Sequence, residues 1–66
     1  MEISLNGKKE ILENKMTLTE LILSKGLNPD TIVVEHNSNL IKKEEWSSVS
    51  LKENDILEVL RFVGGG

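Results

Sequence analysis

The chain opens on an alternation. In "MEISL", Ile3 and Leu5 sit between polar Glu2 and Ser4, a period of two that predicts a half-buried strand. Asn6-Gly7 follows; a type I′ turn needs positive φ at both central positions, so this pair predicts a hairpin returning through Lys8 to Leu12. The period then changes. In "TLTELILSKG", Leu18, Leu21 and Ile22 recur at i, i+3 and i+4, the spacing of one helix face. Thr17 and Glu20 have the T-x-x-E spacing of a capping box, which satisfies the backbone amides left over at a helix start. Gly26 can take the left-handed conformation that ends a helix, and Pro29 follows soon after.

Beyond the helix, "TIVVEHN" reads as a third strand led by β-branched Thr31, Ile32, Val33 and Val34. Asn37-Ser38-Asn39 reads as a turn and Leu40-Ile41 as a short fourth strand. "KKEEWSSV" suits one helical turn or an irregular crossing, with Trp46 tucked against the core and Lys42 to Glu45 as a solvated charge run. "DILEVLRFV", Asp55 to Val63, is the final strand, and Gly64, Gly65 and Gly66 follow it. A single helix can cover only one face of such a sheet, so the other face stays open to solvent.

The last strand splits into two sets. Ile56, Glu58, Leu60 and Phe62 alternate with Leu57, Val59, Arg61 and Val63, and each set carries one charge. Glu58 is mid-strand, and burying a lone carboxylate is costly. Arg61 is near the strand end and can snorkel its head outward. Leu57 and Val59 are therefore expected under the helix, with Glu58, Leu60 and Phe62 on the open face. An exposed apolar pair, Leu60 and Phe62, beside a glycine tail would suit a protein-docking surface.

Composition narrows the chemistry. Sixty-six residues mean one domain near the lower limit for independent folding, with a stability of about 3–10 kcal/mol at ~0.05–0.15 kcal/mol per residue. There is no cysteine, hence no disulfide, no thiolate nucleophile and no Cys-type metal site. His36 is the sole histidine and reads as an ordinary strand-end residue. Eight Lys and Arg against eleven Asp and Glu give a net charge of −3, which disfavours nucleic acid. Met1 leads straight into a strand pattern, with no apolar signal region and no stretch suited to spanning a membrane. A soluble, cytoplasmic domain is the expectation.

The residues also carry a resemblance. "LNGK" in the first hairpin, "TLTELI" opening the helix, "VVEHN" as the middle strand, "IKKEEW" after it and "DILEVLRFVGGG" at the end follow one another at the right length. Together they resemble the ubiquitin-like sulfur carriers, and within them those of thiamine biosynthesis. The match covers nearly the whole chain. It implies an α+β, ubiquitin-like β-grasp fold: a mixed sheet of four or five strands with one main helix on one face. It divides the chain into a domain over 1–63 and a flexible glycine tail over 64–66.

The resemblance implies a function without intrinsic catalysis and without a bound cofactor. A ubiquitin-activator-like adenylating enzyme uses ATP to convert the Gly66 carboxylate to an acyl-adenylate. A cysteine-desulfurase-type donor supplies the sulfur that makes a thiocarboxylate, and thiazole synthase takes that sulfur for the thiazole moiety. Gly66 is then the modified residue, Gly65 and Gly64 the tail, and Glu58, Leu60, Phe62 and Val63 the partner-contact candidates.

Physical chemistry fits this division of labour. A terminal carboxylate, with a reference pKa of about 3.3–3.7, is an anion at neutral pH and resists attack until activated. Each glycine removes a Cβ and lets a narrow channel admit the backbone. Val63 through Gly66 can reach roughly 13–14 Å when extended. The alternatives are the small subunit of molybdopterin synthase, which shares fold and tail but is usually longer, and a protein modifier joined through Gly66 to lysines. A β-grasp RNA-binding or regulatory module is disfavoured by the acidic balance and the lack of a basic, aromatic-laced strand face.

Overall fold

Two tight turns frame the sheet. In the computed structural model, which describes residues 1–61, Asn6 and Gly7 have φ of 51° and 81°. They join β1 (Glu2–Leu5) to β2 (Lys8–Ile11). Asn37 and Ser38, with φ of 50° and 74°, do the same for β3 (Ile32–His36) and β4 (Asn39–Ile41). Both loops therefore have the two positive-φ residues whose twist matches the flanking strands. Asn39, expected in the turn, already belongs to β4, because Asn37 and Ser38 suffice to reverse the chain. Leu12 falls just past β2 and is buried in the core instead.

The helix α1 (Leu18–Ser24) has both of its sequence-marked ends. The Thr17 hydroxyl accepts from the Glu20 amide at 3.2 Å, and the Glu20 carboxylate accepts from the Thr17 amide at 2.8 Å. At the other end Gly26, at φ 71°, donates to the Leu23 carbonyl, and Leu27 donates to the Ile22 carbonyl. This double bond pattern around a left-handed residue satisfies carbonyls that the helix leaves open. Leu18, Leu21 and Ile22 are buried on the sheet side.

The last described strand, β5 (Ile56–Arg61), lies in the middle of a five-stranded sheet of order β2-β1-β5-β3-β4. It runs parallel to β1, with Ser4 opposite Ile56 and Leu5 opposite Leu57. It runs antiparallel to β3, from Ile32 opposite Arg61 to His36 opposite Leu57. The core gathers Ile3, Leu18, Leu21, Ile22, Val34 and Leu57 between helix and sheet. Trp46, on the 3-10 turn Lys43–Ser48, seals it and donates from Nε1 to the Ile41 carbonyl at 3.0 Å.

Candidate functional site: the central strand and the open sheet face

Everything the sequence assigns to function hangs on β5, so the site begins with what holds that strand. Its start is fixed by Asp55, which is buried. His36 Nε2 lies 2.9 Å from Asp55 Oδ2, the Lys52 amide donates to the same oxygen at 2.9 Å, and Asn37 Nδ2 donates to Oδ1 at 3.2 Å. Burial pushes this carboxyl up. The hydrogen bonds from His36, Lys52 and Asn37, together with the charge that His36 carries when protonated, outweigh it and hold Asp55 below the usual aspartate value. Asn37 completes the clasp: its Oδ1 accepts from the Ile56 amide at 2.8 Å, and its own amide donates to the Ile56 carbonyl at 2.8 Å.

A second clasp holds the outgoing half. Asn6 Oδ1 accepts from the Val59 amide at 2.7 Å, and Asn6 Nδ2 donates to the Val59 carbonyl at 3.3 Å. The side-chain amide stands in for the next strand residue of β1 after that strand has turned away. One asparagine thus makes the hairpin turn and grips the strand that leads to residues 62–66. The hairpin motif announced the first role; the second depends on a pairing 53 residues away along the chain.

The faces of β5 divide as the alternation requires. Leu57 is fully buried and Val59 packs against the core. Glu58 and Leu60 are exposed on the other face, Leu60 by 52%. Ile56 shares that face and is also exposed. Phe62, Val63, Gly64, Gly65 and Gly66 lie outside the described residues. The register adds three residues that sequence reading did not assign. Val33 stands opposite Leu60, Glu35 opposite Glu58, and Leu40 opposite Glu35. Only the alternation within "IVVEH" hinted that Val33 and Glu35 share a face.

Among the described residues, no group of three His, Asp or Glu side chains is placed to hold a metal ion. No helix among them is long and apolar enough to cross a membrane.

This arrangement, a mixed five-stranded sheet with one main helix across one face, is the ubiquitin-like β-grasp fold. Comparison with known proteins takes the assignment further. The ThiS family model matches residues 1–66. The sulfur carrier protein ThiS of Bacillus subtilis is 35% identical over 65 residues, which cover 97% of this chain and 98% of that protein. A thiazole synthase of Magnetococcus marinus is 36% identical over 66 residues; the chain spans only 20% of that relative's length. The crystal structure of a thiamine biosynthesis protein, ThiS, from Geobacter metallireducens superposes with a TM-score of 0.88 at 28% identity, covering all of both chains. The chain belongs to the ThiS family. As such it is a small sulfur-carrier protein of thiazole formation, acted on by enzymes rather than being one.

Proposed function

We propose that this chain carries sulfur as a thiocarboxylate on Gly66 and delivers it to a thiazole synthase. Membership of the family implies an activating enzyme and a thiazole synthase as partners. On this reading the activating enzyme joins the Gly66 carboxylate to AMP from ATP, releasing pyrophosphate. The terminal sulfur of a desulfurase-type donor's cysteine persulfide then attacks the acyl carbon and displaces AMP, and a second thiol reduces the resulting acyl disulfide, releasing the donor cysteine and leaving the thiocarboxylate. Residues 1–63 act as the body that partners hold, and Gly64–Gly66 as the slender arm that enters their active sites. The observation that carries the proposal is the family match running through Gly66. The relative named thiazole synthase, in which a carrier-like segment forms a fifth of the chain, supports the receiving partner.

Leu60, Glu58, Phe62 and Val63 are proposed to meet those partners. The exposure of Leu60 and Glu58 supports this for the two that are described.

Intact-mass analysis after mixing with ATP, a sulfur source and the cognate activating enzyme tests the chemistry. The expected product exceeds the starting protein by the difference between sulfur and oxygen. One residue added after Gly66 displaces the reacting carboxylate by about 3.3–3.6 Å and should abolish the gain. An extended protein that gains sulfur as readily as the wild type would overturn the mechanism. Rescue of a thiazole-requiring strain, and not of a molybdenum-cofactor-requiring one, assigns the pathway.

A further inference from the structure

The open face of the sheet has an unusual centre. Glu35 and Glu58 are directly opposite neighbours on β3 and β5, so their side chains leave the sheet about 4.5–5.5 Å apart at Cβ. Like charges in this position are destabilising. No ion pair among the described residues includes either one, and residues 62–66 contain no Lys or Arg. Apolar side chains flank the pair along β3, β4 and β5, and Ser4 and Lys9 line the β1–β2 side of the same face. Val33 and Leu60 form the next row toward one end of the strands, Ile56 lies at the other, and Leu40 closes the row on β4. Leu40, Ile56 and Leu60 are all exposed.

Ordinary interfaces put apolar groups at the centre and charges at the rim. Here the order is reversed. A partner that covered this face with an apolar surface would strip water from two adjacent carboxylates and leave them uncompensated, a heavily unfavourable outcome. A second copy of the chain fits no better. A face-to-face pair would bring four carboxylates together in a protein that already has a net charge of −3. The surface that fits is one with a cation at its centre and apolar groups around it.

Resting on the function proposed above, we propose that the activating enzyme docks on this face by placing an Arg or Lys side chain between Glu35 and Glu58. A planar guanidinium suits the site best, since its fork can bond both carboxylates at once. Val33, Leu40, Ile56 and Leu60 then seal the contact from water. The glutamate pair weakens the isolated domain and is compensated only in the complex. It also repels any partner that presents acid at the same point, which gives the carrier selectivity as well as attraction.

The test combines stability and binding on the full chain. E35Q, E58Q and the double variant are compared with wild type by thermal melting and by calorimetric titration with the activating enzyme, at low and high salt. Melting temperatures are expected to hold or rise, because repulsion is relieved. Affinity is expected to fall by at least about tenfold, and the salt dependence of binding to flatten. Titration with thiazole synthase runs in parallel. Variants that bind the activating enzyme as tightly as wild type would overturn the proposal, as would a loss confined to thiazole synthase. A wild type that neither binds nor is adenylated would instead overturn the proposed function itself.

Discussion

His36 donates to Asp55 across 2.9 Å, and that bond ties the end of β3 to the residue that begins the central strand. It is one of three hydrogen bonds converging on a buried carboxylate whose pKa is held below its usual value. The consequence for acid stability has a definite sign. Unfolded, Asp55 titrates near the reference value of about 3.9; folded, it stays ionised to lower pH. Its contribution is therefore fully present above the unfolded value and lost as pH falls through the folded one. Thermal melts of the wild type from neutral pH downward should show this loss below about pH 4. Asp55→Asn should melt lower at neutral pH and lose less stability on acidification. An unchanged acid limb in the variant would refute the assignment.

Asn6 has a separable pair of roles. Asn6→Gly keeps the left-handed turn but removes both bonds to Val59, while Asn6→Ala strains the turn as well. A net hydrogen bond contributes about 0.5–1.5 kcal/mol, so Asn6→Gly should destabilise by roughly 1–3 kcal/mol. The Val59 amide should exchange with solvent markedly faster in both variants. If Val59 exchange stays at the wild-type rate relative to global unfolding, the side-chain clasp does not hold β5.

Trp46 is 2% exposed and its indole nitrogen is bonded to the Ile41 carbonyl. Trp46→Ala should cost about 3–5 kcal/mol, against a total near 3–10 kcal/mol for a chain of this length. The variant should be largely unfolded or melt far below the wild type by circular dichroism. Trp46→Phe, which keeps the bulk and loses the donor, should fall between them. The wild-type fluorescence should be blue-shifted and should move red in step with unfolding, since Trp46 is the sole tryptophan.

Leu60→Asp separates docking from folding. Leu60 lies on the open face opposite Val33, so its loss should lower stability by only about 1–2 kcal/mol. Binding to the activating enzyme should weaken much more, because a carboxylate would sit in a contact that excludes water. Collapse of the melting transition with unchanged affinity in the folded fraction would show that Leu60 serves the fold instead.

Local features of the fold were plain in the sequence, and long-range ones were not. Asn6-Gly7, the Thr17–Glu20 box and Gly26 each act within a few residues, and each is found as read. The face split of β5 was legible because Glu58 could not be buried alone while Arg61 could reach water. Strand order is another matter. Nothing near Ser4 announces that it pairs with Ile56, and nothing near Glu35 announces Glu58. Asp55 read as the first residue of a strand, yet it is a buried hub, because its partners His36 and Asn37 come from another hairpin. On the functional side, Gly64–Gly66 were named from the chain alone and lie outside the described residues, while the acidic pair on the open face emerged only from the register of β3 against β5.

The central position of β5 has a consequence for how the molecule is made. The β1–β2 and β3–β4 hairpins share no ladder with each other; β5 joins them. Both hairpins close over short loops and can form as soon as they are synthesised, whereas the seam between them must wait for residues 56–61. Long-range pairings of this kind form late, since loop closure opposes them until the contacts are complete. A chain cut or stalled before residue 56 is left with two unjoined hairpins and no opposed Glu35 and Glu58. On the docking proposed above, such a chain would offer an activating enzyme nothing to read. On that proposal the domain acts as its own test of completion: the strand that leads to residues 62–66 is the one whose arrival joins the two hairpins and assembles the docking surface.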